Sequence, residues 1–317
     1  MKGTAVTLGA LLVAFGSPAM AEAPRVATDI LPVHGLVAAV MDGVGTPGLV
    51  IGPGEDPHGH QMRPSQAANL ARADLVVWVG SGLSPAFEKA AEALAGDAVS
   101  LSLSGVPGVE LLEFRSSHGH DEDDHADEDP HDENDHGEDD NDMHAEGDAD
   151  PHAWLDPDNA VLWSAAIAEA LAGLDPANAD RYRANAREVQ AKIEAASTAL
   201  GERIAGLGDV EIVAYHDAYQ YLEVHYDFEI DSSLIDAAGA DPGARGIAEV
   251  SARMQGETPV CVLAEPGFRI GLIDTALGAV PYTIVELDPL GAHIPQGPGF
   301  YPSLLRDFAD RLGACGG

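Results

Sequence analysis

Three histidines lie in separate turns of the chain, where their imidazole nitrogen atoms could bind a metal ion. His58 lies in a turn made by Gly and Pro, His152 lies in the segment DPHAWLDP, and His216 follows the apolar run IVAY. Three imidazole groups that meet at one point can bind Zn²⁺ at about 2.0–2.1 Å and leave a fourth position for water or a carboxylate. The spacing alone is a weak signal, because the chain has no compact motif such as HExxH.

Strands alternate with helical patterns in both halves of the chain. Apolar residues also recur at spacings of three and four over residues 178–205, which predicts one long amphipathic helix. Strands that alternate with helices form parallel sheets, and loops at the carboxyl ends of such strands hold ligands. The sequence therefore predicts an α/β fold of two lobes, each with a mostly parallel sheet flanked by helices, joined by one long rigid helix. The predicted strands lie at residues 25–28, 48–52, 74–80, 210–214, 259–264 and 282–287.

The chain divides into four predicted parts. Lys2, an apolar run over residues 5–15 and a small-residue pattern ending at Ala21 predict a signal peptide that is cleaved after export. The apolar run is shorter than the roughly 20 residues that span a bilayer. We expect a signal peptide at 1–21, an N-terminal α/β lobe at 22–175, a connecting helix at 176–206 and a C-terminal α/β lobe at 207–317.

The charge balance is strongly acidic. The chain has 16 Lys and Arg against 53 Asp and Glu, which gives a formal net charge of −37. Such a charge repels nucleic acids and anionic membrane surfaces and favours cations as ligands. We therefore expect no nucleic-acid partner.

Residues 116–150 differ in composition from the rest of the chain, since they contain six His, 17 Asp or Glu and almost no apolar residues. A segment of this kind buries too little apolar surface to order itself, so we predict a disordered loop. Carboxylates interleaved with histidines are typical of weak divalent-metal binding, although a solubilising acidic linker and a metal buffer built on this loop alone are alternatives. The candidate auxiliary ligands are His118, His120, His125, His131, His136 and His144.

The two cysteines predict one disulfide bond. Cys261 and Cys315 are the only cysteines of the chain, and an even pair in an exported protein is typically bonded. A thiolate metal site is the alternative, but it would need further Cys or His at short spacing, which the sequence lacks.

Seven short segments follow one another in an order that is typical of one protein family. They are PH and RPS within residues 57–65, ADLVVWVG at 73–80, HAWLDP at 152–157, HDAY at 216–219, AEPGF at 264–268 and LDPLG at 287–291. This pattern resembles the ZnuA-type zinc-binding proteins of bacterial ABC importers from Val26 to the C-terminus. The acidic His-rich insertion and the cysteine pair are similar as well.

The resemblance implies a periplasmic solute-binding protein rather than an enzyme. It implies that Zn²⁺ binds in the cleft between the lobes through His58, His152 and His216 and passes to an inner-membrane ABC permease with a separate ATPase. We also expect a monomer. Asp288 matches a carboxylate ligand of the family and is the candidate fourth ligand, with water as the alternative. Pro57 stands where some relatives have a Glu ligand.

Two alternative functions fit the same residues. In the wider family, manganese and iron binders have a carboxylate at the third position, where His216 stands, and imidazole suits zinc better than manganese. A secreted zinc hydrolase is the second alternative, with Asp288 or Glu265 as its general base. Otherwise we interpret Glu265 as a hydrogen-bonding group near the cleft and Asp217 as a helix cap, with a role behind a metal ligand as its second interpretation.

Overall fold

The computed structural model describes residues 22–115, 149–240, 243–256 and 258–316 of the 317-residue chain. The predicted signal peptide and the six histidines of the acidic segment lie outside these residues, so they stay predictions. Within the described ranges, no helix combines the length and the apolar character that a membrane span requires.

The N-terminal half forms a four-stranded parallel sheet. Its strands are β1 (Val26–Thr28), β2 (Gly48–Leu49), β3 (Leu75–Trp78) and β4 (Val99–Ser102), and they are arranged in the order β2-β1-β3-β4. The central strands β1 and β3 are almost entirely buried, since their apolar side chains pack on both faces of the sheet. The helices that alternate with these strands are α1 (Leu31–Val40), α2 (Pro64–Leu70) and α3 (Pro85–Leu94).

The C-terminal half forms a second parallel sheet of four strands. The strands are β5 (Glu211–His216), β6 (Ser232–Ile235), β7 (Val260–Ala264) and β8 (Tyr282–Glu286), arranged in the order β6-β5-β7-β8. The apolar strand β7 is buried along its whole length between β5 and β8. The helices of this half are α6 (Gln220–Tyr226), α7 (Ala244–Arg253), α8 (Ile270–Leu277) and α9 (Phe300–Leu312).

Two long helices lie between the sheets in the sequence, α4 (Pro157–Leu174) and α5 (Ala179–Ile204). Helix α5 packs against α4, against α1 of the first half and against α9 of the second half. The Asn185 side-chain amide on α5 also donates to the carbonyl oxygens of Val40 and Asp42, 2.9 Å from each. The buried apolar face of α5 consists of Tyr182, Ala186, Val189, Ile193, Ala196, Leu200 and Ile204.

The predicted fold class is confirmed. Both sheets are parallel, and the long helix covers the region where the apolar periodicity placed it. Among the described residues, two of the eight strands were not predicted, and both of these, β4 and β6, lie at sheet edges. The exact limits of the lobes at residues 175 and 206 stay a prediction.

The predicted disulfide is present. Cys261 of β7 is bonded to Cys315, which follows α9, and their Cα atoms are 5.4 Å apart. The bond therefore joins a central strand of the second sheet to the residues directly after α9, and α9 packs on α5. This link fixes the C-terminus of the chain to its core.

We expect replacement of both cysteines by alanine to lower the free energy of unfolding by at most about 4 kcal/mol, because the bond closes a loop of 54 residues. Urea unfolding with and without a reductant measures the difference. The reductant should destabilise the parent protein and leave the double variant unchanged. Equal unfolding curves for parent and variant under oxidising conditions would contradict this contribution.

Candidate metal centre

The structure brings three histidine rings together between the two sheets. His58 lies in the loop after β2, His152 precedes a short 3₁₀ turn (Ala153–Leu155), and His216 is the last residue of β5. The ring centroids are 5.4 Å apart for His58 and His152, 5.5 Å for His58 and His216, and 5.0 Å for His152 and His216. One nitrogen atom of each ring lies within 4.8 Å of the others. Their role as metal ligands stays a prediction.

The His58 ring is positioned by its own turn and by the loop after β6. The backbone N–H of His58 donates to the Asp56 carboxylate at 2.9 Å, which holds the Pro-containing turn. Gly239, in the loop after β6, lies beside the His58 ring and has a φ of +78°. An L residue there would be strained in this backbone conformation, so glycine suits the close approach.

Two carboxylates orient two of the rings. Nδ1 of His152 lies 2.8 Å from Oδ1 of Asp150, and Nδ1 of His216 lies 2.9 Å from Oε1 of Glu265. A carboxylate accepts hydrogen bonds, so Nδ1 of each ring carries the hydrogen and Nε2 presents its lone pair. Nε2 of His216 is buried and has no hydrogen-bond partner among the described residues. This buried nitrogen is therefore available to an ion.

The electrostatics of the three rings differ. Burial, together with the neighbouring His152 and His216 rings, lowers the pKa of His58 to about 3. Burial also acts to lower the pKa of His216, but the hydrogen bond and charge of Glu265 outweigh it, so the pKa of His216 is raised above its usual value. His58 is thus neutral at physiological pH, and His216 holds a proton more readily.

Asp288, the candidate fourth ligand, lies outside the group of three converging nitrogen atoms. Its carboxylate accepts the backbone N–H groups of Leu290 at 2.9 Å and Ala292 at 2.7 Å. Burial raises the pKa of Asp288 despite these bonds, and the nearby charge of Glu265 adds to the shift. A ligand role for Asp288 stays a prediction, as does the alternative of water.

Sequence reasoning missed the groups that hold the second histidine in place. Asp150 stands two residues before His152 in the segment DPHAWLDP, and that spacing was the available sign of its role. Ala149 pairs with Glu113 in an isolated antiparallel bridge, and the backbone N–H of Asp150 donates to Leu112 O at 2.8 Å. The predicted disordered loop of residues 116–150 was therefore wrong at its last two residues, because these backbone contacts hold Ala149 and the buried Asp150 in place.

Arg115 was also missed, and the interpretation of Asp217 as a helix cap was wrong. Helix α6 has Tyr219 at its N-cap position, without a side-chain cap. The Asp217 carboxylate instead accepts from Nη2 of Arg115 at 2.6 Å, and Glu223 lies at 2.5 Å from the same atom. Arg115 therefore links the end of the described segment 22–115 with the residues that follow His216.

Solved structures share this fold. The crystal structure of ZnuA matches with a TM-score of 0.71 at 20% identity and covers 93% of this chain and 100% of that chain. The solute-binding protein FpvC from Pseudomonas aeruginosa in complex with Mn²⁺ matches with a TM-score of 0.71 at 19% identity, over 92% of this chain and 98% of that chain. Two parallel sheets, with a long helix between them in the sequence, are thus the fold that this chain shares with both of these metal-binding proteins.

The chain belongs to the ZnuA family. The family described as zinc-uptake complex component A, periplasmic, matches residues 26–315. The high-affinity zinc uptake system protein ZnuA of Paracoccus denitrificans (strain Pd 1222) is 36% identical over 323 residues, which covers 99% of this chain and 98% of that protein.

We expect Asp150→Asn to weaken the binding of Zn²⁺ in the cleft by about 10- to 100-fold, because His152 loses the charged acceptor that orients its ring. Competition against a chromophoric chelator measures the affinity. Asp180→Asn, at an exposed position on the first turn of α5, is the matched control and should bind as the parent does. Equal affinities of the Asp150→Asn variant and the parent would rule out this orienting role.

The raised pKa of His216 predicts a pH dependence. Below that pKa the ring carries a proton that the ion must displace, whereas His58, with a pKa of about 3, is already neutral. The affinity for Zn²⁺ should therefore fall by about tenfold per pH unit as the pH drops through the pKa of His216. The same chelator competition, repeated at a series of pH values, measures this fall.

Glu265→Gln is the control for the pH dependence. It removes the charge that raises the pKa of His216, so the fall in affinity should begin at a lower pH than in the parent. Superimposable pH profiles of the two proteins would show that Glu265 does not set the proton affinity of this site.

Proposed function

We propose that this chain captures Zn²⁺ in the cleft between its lobes and delivers it to an ABC permease of the inner membrane, which a separate ATPase drives. His58, His152 and His216 supply three nitrogen ligands, and Asp288 or a water molecule completes the coordination. The observation that carries this proposal is the buried Nε2 of His216, which has no partner among the described residues and lies beside two other imidazole rings.

The donor set supports zinc as the captured ion. Imidazole nitrogen suits zinc, whereas manganese prefers oxygen donors. The relative from Paracoccus denitrificans is named a zinc uptake protein, and it aligns over nearly the whole chain. The Mn²⁺ complex of FpvC supports a manganese-binding protein as the alternative, since that structure shares the fold.

The contacts of the two candidate general bases support transport rather than hydrolysis. Hydrolysis by a zinc-bound water requires a base that is free to accept a proton from it. Glu265 is engaged with Nδ1 of His216, and both carboxylate oxygens of Asp288 accept backbone N–H groups. The Oε1 atom of Glu265 is therefore committed to orienting the His216 ring, a role that ion binding requires without hydrolysis.

The remaining parts of the chain serve the same task. We propose that residues 1–21 direct export to the periplasm and are then cleaved, and that the mature protein works as a monomer. The acidic His-rich residues 116–150 gather ions at low affinity through His118, His120, His125, His131, His136 and His144. The tight site is the cleft.

We expect each of the variants His58→Ala, His152→Ala and His216→Ala to weaken the tightest Zn²⁺ site by about 100-fold or more, equivalent to roughly 2.7 kcal/mol, because each loses one direct ligand. Chelator competition measures the affinity, and a mixture of Zn²⁺ and Mn²⁺ at equal concentrations measures the preference. The parent should retain Zn²⁺. Retention of Mn²⁺ would assign the manganese-type function.

His293→Ala is the matched control, since this histidine pairs with Asp307 outside the cleft and should leave the affinity unchanged. Parent-like affinity in all three cleft variants would place the tight site elsewhere and favour the buffer built on residues 116–150. Asp288→Asn tests the fourth ligand in the same assay. A loss comparable to that of the histidine variants assigns the carboxylate, and an unchanged affinity assigns water.

A further inference from the structure

A second group of metal-ligand side chains lies outside the cleft. Asp156, Asp158 and His225 each place one ligand atom within 4.8 Å of the others. Nδ1 of His225 lies 2.9 Å from Oδ1 of Asp156 and 3.9 Å from Oδ2 of Asp158. Two donors that each lie about 2.1 Å from one ion are separated by about 3 to 4 Å, so these atoms are spaced as donors to a shared ion.

The three side chains come from two helices that are distant in sequence. Asp156 caps the N-terminus of α4, where its Oδ1 accepts the backbone N–H of Asp158 at 2.8 Å. His225 lies in the last turn of α6, after the first strand of the second sheet. The histidine is what distinguishes this group from an ordinary capped helix end, because it adds a nitrogen donor from the other half of the molecule.

A hydroxyl group behind the ring orients His225. Nε2 of His225 lies 3.4 Å from Oγ of Ser197 on α5, and that hydroxyl lies 2.9 Å from the hydroxyl of Tyr226. Without an ion, Nδ1–H of His225 donates to Asp156. When an ion displaces this proton, Nε2–H can donate to Ser197 and the lone pair of Nδ1 faces the ion between the two carboxylates. Metal-binding histidines generally donate their second ring N–H in this way.

Exposure and charge also suit a cation. The Asp158 side chain is 84% exposed, whereas the Asp156 and His225 side chains are 10% and 20% exposed. Asp158 is therefore accessible from solvent, whereas Asp156 and His225 are largely buried beneath it. The hydrogen bond to Asp156, opposed by burial and aided by the charges of Asp156, Asp158 and Glu110, raises the pKa of His225. Positive charge is stabilised at this position.

We propose that Asp156, Asp158 and His225 bind a second divalent transition-metal ion, which links α4 to α6 on the outside of the cleft. One imidazole nitrogen and two carboxylate oxygens form a mixed donor set that accepts Mn²⁺, Co²⁺, Ni²⁺ or Zn²⁺. The site is richer in oxygen than the cleft, so it is less selective for zinc. The proposal does not depend on which ion the cleft binds.

The test is Co²⁺ binding to the full chain, measured by equilibrium dialysis on the parent and on Asp158→Asn and His225→Gln. Both variants should bind one Co²⁺ fewer per chain than the parent. The cleft and residues 116–150 are the same in all three proteins, so the difference reports this group alone. Asp158→Asn alters an exposed side chain and should preserve the fold. It therefore tests the site even if the His225→Gln variant is destabilised.

His293→Gln is the matched control. Nε2 of His293 lies 3.1 Å from Oδ1 of Asp307, so the control removes another histidine that is paired with an aspartate. It should bind as many Co²⁺ ions as the parent. In addition, the Co²⁺-loaded parent should show a hyperfine-shifted ring N–H resonance that is absent from His225→Gln. Equal Co²⁺ binding by the parent and Asp158→Asn, without such a resonance, would show that the three residues form an ion-pair cluster only.

Discussion

The buried nitrogen lone pair of His216 is the constraint on which the metal centre depends. A polar atom that is buried without a partner costs free energy, and here Glu265 has already fixed the other ring nitrogen as the donor. A bound ion would offset the free-energy cost of this unpaired nitrogen only if further ligands contact the ion at the same point. His58 and His152 satisfy that requirement, because their rings lie 5.5 Å and 5.0 Å from the His216 ring.

This requirement explains why the two halves of the molecule are tied together beside the site. The Trp154 indole N–H donates to Pro289 O at 2.8 Å, and the Tyr301 hydroxyl donates to Trp154 O at 2.6 Å. The Tyr221 hydroxyl donates to Asp150 O at 2.8 Å. These donors are buried, so a wide opening of the lobes would leave several polar groups unpaired at a cost of roughly 1–3 kcal/mol each. These bonds therefore oppose a wide opening of the lobes.

The sequence predicted those parts of the fold whose burial leaves a periodic or continuous apolar pattern. Helix α5 shows its buried face at spacings of three and four, and the central strands carry apolar runs such as VCVLA. The edge strands β4, with sequence VSLS, and β6, with sequence SSLI, are only partly buried and leave no such pattern. The three cleft histidines were selected through motifs, since their spacing carries no information about convergence. Arg115 acts through a tertiary contact that no local pattern encodes, whereas the position of Asp150 two residues before His152 was a local sign of its role.

The carboxylates around the cleft need positive charge nearby both with and without a bound ion. Arg115 pairs with Asp217 and Glu223, so its single positive charge offsets part of the negative charge of these two carboxylates. Asp150 and Glu265 instead pair with the His152 and His216 rings. A dication bound to neutral rings balances those two charges, whereas a monovalent ion would not. Before the ion binds, Glu265 raises the pKa of His216, so a proton there supplies part of the same compensation. Under the proposed function, charge favours a divalent ion, and the nitrogen donors favour zinc over manganese.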